Sequence, residues 1–167
     1  MNMFILNEDA ITSATEQCDK HVVKMPLESA QMLCTAHRLL DGDEGNEDLY
    51  KIAHPKHPCT LWTMESDKNY EWHYAHWIAL CNEYKFRYGR EHLSFTKFHD
   101  KLNKMPKNIP FTLHKTPFRL AMGSNPECVV EGDPVASYRA FYKTKAARFE
   151  MKWSKREVPE WFLKEAC

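Results

Sequence analysis

The chain has 167 residues, 23 Lys and Arg against 23 Asp and Glu, 43% hydrophobic and 13% aromatic residues, and only five glycines. That length suits one domain, residues 1–167, burying roughly two-thirds of the surface its unfolded form would expose, and the composition disfavours a disordered chain or a turn-rich all-β fold. Zero net charge argues against a strong nonspecific nucleic-acid binder, because counterion release needs clustered Lys and Arg.

Six cysteines, at 18, 34, 59, 81, 128 and 167, form no C-x-x-C pair and no framework spacing. Zinc-ribbon and disulfide-scaffold readings lose support, and reduced thiols in a cytoplasm fit best. The opening MNMFILNEDA has no basic segment and only a four-residue apolar run. Neither a signal peptide nor a membrane span is expected from it.

Phe4-Ile5-Leu6 is a short apolar entry, and Asn7 with Glu8 and Asp9 supplies an N-cap and an acidic first turn for a helix to about residue 17. A second helix covers much of 19–40. Pro26 either kinks it or serves as the first helical residue of PLESAQMLCTAHRLL. DGDEGNED then reads as an exposed acidic loop. From His57-Pro58 onward, Tyr70, His73, Tyr74, Trp77, Leu80, Cys81, Tyr84 and Tyr88 recur at helical spacing up to Gly89, which marks the central helix. Ser94 caps a short helix bearing Phe95, Phe98 and Leu102. Pro106, Pro110, Pro117 and Pro126 predict an ordered wrapping loop between Met105 and Asp133. Asp133-Pro134 opens a last long helix, PVASYRAFYKTKAARFE. The expected fold is therefore all-α and compact, with four to five helices and a long proline-containing loop.

Three groups of residues could carry chemistry. On a continuous helix His21, Lys24 and Glu28 share one face, bringing an imidazole, an amine and a carboxylate together for acid–base work, with Lys20 or Lys24 as amine nucleophiles. A carboxylate in the first turn of a helix starting at Pro26 would instead only favour the helix dipole. His54, His57 and Cys59 are legitimate metal ligands, joined by His21, Cys18, Asp19 or His37, but H-P-K-H-P-C matches no recurrent zinc spacing. No cofactor is expected, and a metal-dependent hydrolase using His21, His54 and His57 stays open. Finally, Tyr138, Phe141 and Tyr142 interleave with Arg139, Lys143 and Lys145, a mixture that suits phosphate neutralisation and base stacking, or burial of the rings beneath a wet basic edge. A noncatalytic binding module built on this helix is the third reading.

The D-x-H-x6-E pattern of Asp19, His21 and Glu28, His57 ahead of the aromatic helix ending at Gly89, and the late SYRAFYKTK segment together resemble the phage-type pyrimidine-dimer DNA glycosylases, also called endonuclease V of the bacteriophage repair type. The resemblance implies a phage-encoded enzyme of the bacterial cytoplasm that acts on double-stranded DNA. Glu28 would be its acid–base residue, and the N-terminal α-amine would attack the sugar to form a Schiff base. It also implies that Lys20, Gln31, His57, Tyr138, Arg139, Tyr142, Lys143 and Lys145 contact DNA. In that family removal of the initiator methionine frees the amine. Here residue 2 is Asn, normally too large for that removal, so the nucleophile falls to Met1, with Lys20 or Lys24 as substitutes. Leu27 and Gln31 stand where the family's phosphate-gripping arginines flank its glutamate.

Overall fold

A computed structural model describes residues 1–164. They contain seven α-helices and no strand: α1 (Ala10–Thr15), α2 (Asp19–Asp41), α3 (Pro58–Glu65), α4 (Asp67–Tyr88), α5 (Leu93–Leu102), α6 (Pro134–Lys143) and α7 (Glu160–Leu163). Five of these have eight residues or more, which agrees with an all-α reading of four to five helices. None is long and apolar enough to cross a membrane.

The ends of the helices follow local chemistry, and several differ from expectation. Asp9, not Asn7, caps α1, its Oδ2 accepting the Thr12 N–H at 2.8 Å. That helix stops at Thr15, before the expected residue 17, because Cys18 is extended (ψ 166) and resets the chain for α2. His92 caps α5 in place of Ser94, its Nδ1 accepting the Ser94 N–H at 3.2 Å. The helix expected from His57-Pro58 onward is two helices, broken at Ser66, whose hydroxyl caps α4 through the Asn69 N–H at 3.0 Å. The last long helix likewise ends early. Thr144 returns its hydroxyl to the Phe141 carbonyl at 2.6 Å, a side-chain bond that competes with the helical ladder, and a 3-10 turn (Thr144–Ala147) follows. Helix α7 was not expected at all.

Pro26 lies inside α2, which runs unbroken through it. A proline there removes one internal hydrogen bond and crowds the carbonyls of the preceding turn. His92 Nε2 donates a hydrogen bond to the Val23 carbonyl in that turn at 3.2 Å. His92 takes the Ser94 N–H at Nδ1, so its hydrogen is on Nε2, where this bond requires it. Glu28 therefore lies about two and a half turns inside a continuous helix, which rules out the first-turn, helix-dipole account of it.

The packing frames an unusual N-terminal segment. Met3 to Leu6 run outside any helix and almost fully buried among Trp62, Tyr138, Tyr142 and Phe118, while Leu33, Tyr70, Trp77, Phe98 and Leu102 fill a second cluster between α2, α4 and α5. A buried chain outside a helix must still satisfy its backbone polar groups. Here side chains do so: Gln17 Nε2 donates to the Met3 carbonyl (3.0 Å), Ser13 Oγ bridges the Phe4 carbonyl and the Leu6 N–H, and Arg139 Nε donates to the Leu6 carbonyl (2.8 Å). Side chains from α1, from the turn after it and from α6 thus clamp the segment and fix where the chain starts.

The long loop after α5 is ordered, as expected, and contains only a 3-10 turn (Pro126–Cys128). Buried polar side chains pin it along its length. Asp67 Oδ1 takes the Thr112 N–H, Asn69 Oδ1 takes the Thr116 N–H, and the Tyr138 hydroxyl donates to the Arg119 carbonyl. Five cysteines, 18, 34, 59, 81 and 128, are buried free thiols, and Cys167 lies outside the described residues.

Candidate active site

The helical face of α2 that carries His21, Lys24 and Glu28 opens into a cleft of about 470 Å³. Its floor is the start of the chain. The Met1 α-amino nitrogen lies 3.7 Å from Glu28 Oε2, and the Asn2 backbone N–H donates to the same oxygen at 3.2 Å. Lys24 Nζ approaches the other oxygen, Oε1, at 3.5 Å from one helical turn away. Glu28 is mostly buried while Lys24 is exposed, so the carboxylate is fixed and the lysine is free to swing. Lys20, Lys145 and Arg148 line the same cleft, together with Phe4, Phe141 and Phe149.

His21 forms one wall. Phe4 stacks on its ring at 4.5 Å and Phe149 meets it edge-on. The Tyr142 hydroxyl lies 2.7 Å from Nδ1 and also accepts the Cys18 N–H at 2.8 Å. Burial, helped by the charges of Lys145, Lys24 and Lys20, pulls the His21 pKa down to about 3, so the ring is neutral in this site. Tyr142 then donates its proton to Nδ1, and Nε2 carries the ring's own hydrogen.

Lys145 rests over the Phe141 ring at 4.3 Å, and Lys20 over Phe149 at 4.6 Å. Burial lowers the Lys145 pKa, and Arg148 and Lys24 push it further in the same direction. On the far side of the Met1 amine is His57, the cap of α3, which accepts the Cys59 N–H at Nδ1. Partial burial lowers its pKa, the Met1 amine adds to that, and the charge of Glu28 opposes it. His57 is thus a neighbour of the Met1 amine and Glu28.

Other expected residues lie elsewhere. The Tyr138 and Tyr142 rings are fully buried, so neither can stack on a nucleic-acid base, and Tyr142 acts through His21 instead. Arg139 donates to the Leu6 carbonyl and covers Trp161, and Lys143 lines the same separate groove on the outer side of α6. Gln31 is half-buried and does not line the cleft. The alternation of basic and aromatic residues on α6 therefore splits, with the rings in the core and only Lys145 and Arg148, just past the helix end, turned toward Glu28.

Among the described residues no group of three or more His, Cys, Asp and Glu is placed to hold a metal ion. His21 is tied to Tyr142, His37 Nε2 lies 2.8 Å from the Tyr70 hydroxyl, and Asp19 pairs with Arg87. His54 is exposed near His57, and this pair gains no third ligand.

No protein family, curated protein or solved structure matches this chain.

The site is therefore read from its own contents. It holds a primary amine against a carboxylate, which suits nucleophilic attack with local proton transfer. Four cationic side chains around one carboxylate suit an anionic substrate. Sequence reasoning missed Phe4, Asn2, Ala121, Arg148 and Phe149. Arg148 falls near the end of the helix expected from Asp133-Pro134, PVASYRAFYKTKAARFE, but nothing in the sequence places that end beside α2.

Proposed function

We propose that the protein is a DNA glycosylase with AP-lyase activity, acting on damaged duplex DNA through the Met1 α-amine and Glu28. One observation carries this reading: the terminal amine lies 3.7 Å from the Glu28 carboxylate at the floor of a cleft bordered by Lys20, Lys24, Lys145 and Arg148. The resemblance of Asp19, His21 and Glu28 to the repair-glycosylase pattern adds to it.

In this mechanism Glu28 takes a proton from the Met1 ammonium, and the freed lone pair attacks C1′ of the target nucleotide. The C1′–N bond breaks, and the base leaves with its electron pair and gains a proton. Ring opening places a proton on O4′ and leaves an imine between C1′ and Met1. Loss of a C2′ proton then expels the 3′-phosphate with the C3′–O electron pair, and water hydrolyses the imine to regenerate the amine. Because the reacting base must leave the helical stack, the enzyme acts on an everted nucleotide. The cations hold the flanking phosphates, and neutral His21 presents Nε2–H as a hydrogen-bond donor.

The direct test is borohydride trapping with duplex DNA containing an abasic site or a pyrimidine dimer. The wild-type protein is expected to give a covalent adduct that maps to the peptide containing Met1. Glu28→Gln should cut its yield by about 100-fold or more, in the range expected for loss of a positioned acid–base group. An extension placed before Met1 should abolish it. An adduct on Lys20 or Lys24 would overturn the assignment to Met1, and duplex binding with no adduct would leave a noncatalytic DNA-binding module.

Salt dependence tests the cationic border. Each side chain that neutralises a phosphate contributes about 0.9 to the slope of log K against log salt. The paired substitution Lys145→Ala and Arg148→Ala should therefore flatten that slope by about two, measured by fluorescence anisotropy, whereas Arg139→Ala with Lys143→Ala, in the separate groove, should leave it nearly unchanged. Equal effects of the two pairs would sink this placement of DNA.

A further inference from the structure

We infer that Asn2 is the positioning residue that sets the terminal amine against Glu28, an inference that rests on the reading of Met1 and Glu28 given above. Asn2 is only 5% exposed, and its polar groups are engaged on three sides. Its backbone N–H donates to Glu28 Oε2 (3.2 Å), its side-chain Nδ2 donates to the Ala121 carbonyl (2.9 Å), and its Oδ1 accepts the Phe4 N–H (3.0 Å). These partners come from α2, from the long loop and from the N-terminal segment itself. The residue next to the amine is therefore held from three directions, and the freedom left to the amine is that of Met1 alone.

The bond from Asn2 Oδ1 to the Phe4 N–H closes a side-chain turn. Within that turn Phe4 adopts φ 52, a left-handed conformation that a bulky residue rarely holds unless its surroundings enforce it. The consequence is local and useful: the Phe4 ring is laid flat on His21, with 21° between the planes. One side chain thus sets both the amine and the aromatic lid over the neutral histidine. Asparagine alone among small residues combines a donor for Ala121 with an acceptor for Phe4. Aspartate would lose the donor and add a second buried carboxylate beside Glu28. Serine keeps an acceptor close to the backbone but cannot reach Ala121.

Orientation of a nucleophile is worth large rate factors, and a displacement of about 1 Å costs on the order of 100-fold. Asn2→Ala should therefore slow single-turnover imine trapping on abasic duplex by about 10- to 100-fold while changing duplex affinity less than about 2-fold, because no phosphate-binding cation is altered. Asn2→Ser should recover part of the rate. Circular dichroism melting of each variant shows whether the fold is kept, and the serine variant carries the test if the alanine variant does not fold.

A second readout needs no DNA. With the α-amine tagged by reductive ¹³C-methylation, the Met1 methyl resonance of the wild-type protein should show an inflection from Glu28 titration that is absent in Glu28→Gln. Asn2→Ala should lose it as well. Wild-type trapping rate and an intact inflection in folded Asn2→Ala would overturn the positioning role and leave the glycosylase reading standing. Loss of the inflection in Asn2→Ala, with no adduct from any protein, would keep the positioning role and remove the glycosylase reading.

Discussion

Glu83→Ala is expected to lower the stability of the folded chain by about 3–5 kcal/mol, the usual consequence of leaving a buried charge without its partner. Glu83 lies on α4 with its side chain 2% exposed, facing an Arg87 side chain that is completely buried. Arg87 Nε donates to Glu83 Oε2 at 2.9 Å, and Arg156 reaches both carboxylate oxygens, at 3.0 and 2.8 Å. Arg87 continues to Asp19 Oδ1 and to the Thr15 carbonyl, both at 3.0 Å, and Asp19 also takes the Ser154 N–H at 2.9 Å. One network thus ties the last turns of α4 to the first turn of α2 and to the segment around Ser154.

Removing Glu83 strands Arg87 between Asp19 and the Thr15 carbonyl with its charge only partly matched. Replacing both Glu83 and Arg87 by Met should cost far less than the sum of the two single changes, because the two fully buried charges leave together and the partners they release, Asp19 and Arg156, are partly exposed. Urea denaturation of the two single variants and the double variant measures this coupling. A loss below about 1 kcal/mol for Glu83→Ala, the range of a solvent-exposed pair, would refute a buried structural role. The network also settles Asp19. Although Asp19 belongs to the same short pattern as His21 and Glu28, it holds the start of α2 in place so that Lys20, His21 and Lys24 face the cleft, and it does not touch the site.

The legibility of the chain divides along the same physical line. The α4 pattern was readable because its helical periodicity is local, and Gly89, at φ 73, ends it as the pattern required. Pro26 was ambiguous because the fate of a helix at proline depends on the carbonyls of the turn before it. One of them is taken up by His92, the cap of α5. Tyr138 and Tyr142 illustrate the same limit. Alternating rings and cations fit a DNA-binding face and a buried face with a wet edge equally well, and only the packing of α6 against Met3 to Leu6 decides between them.

Glu28 and His21 were found from their spacing on one helix. Their partners were not, because Met1 reaches Glu28 only after the entry segment has been threaded through the core on side chains from α1, α4 and α6. Asn2 is the clearest instance. From sequence it counted only as an obstacle to methionine removal, whereas in the fold its side chain is bonded on two sides beside the amine.

Acid should destabilise this protein, and the histidines fix where the loss begins. His21, His73 and His76 are all buried and neutral: burial brings His21 down to about 3, His73 well below its usual value, and His76 below it. His73 is held between Thr63 Oγ1 (2.7 Å) and Ser29 Oγ (3.1 Å), one residue along from Glu28, and His76 has its two ring nitrogens at the Ala10 and Met3 carbonyls (3.0 and 3.2 Å), of which the neutral ring donates to one. In the unfolded chain each takes up a proton below a pH of about 6.5, whereas in the folded chain each resists it.

The unfolded state therefore binds more protons, and stability falls as the pH drops. The contribution is intact above about 6.5 and is lost progressively below it, down to about 3 for His21. Each histidine contributes at most about 1.4 kcal/mol per pH unit, so three together give a slope of no more than about 4 kcal/mol per unit. Against a typical total of about 5–15 kcal/mol, this loss weakens the fold from about the first unit below 6.5, and carboxylate protonation adds to it at lower pH. Urea midpoints measured from pH 7.5 down to 4.5 should stay level and then drop steeply below 6.5. His76→Gln, which keeps a polar side chain but cannot titrate, should reduce the slope by about one-third. A level profile down to pH 5 would contradict neutral burial of these rings. Because burial is the leading cause at His21, bound DNA that masks Lys20, Lys24 and Lys145 would remove only the lesser causes. On the proposed reading His21 would stay neutral with DNA in place, its Nε2–H still available to the cleft.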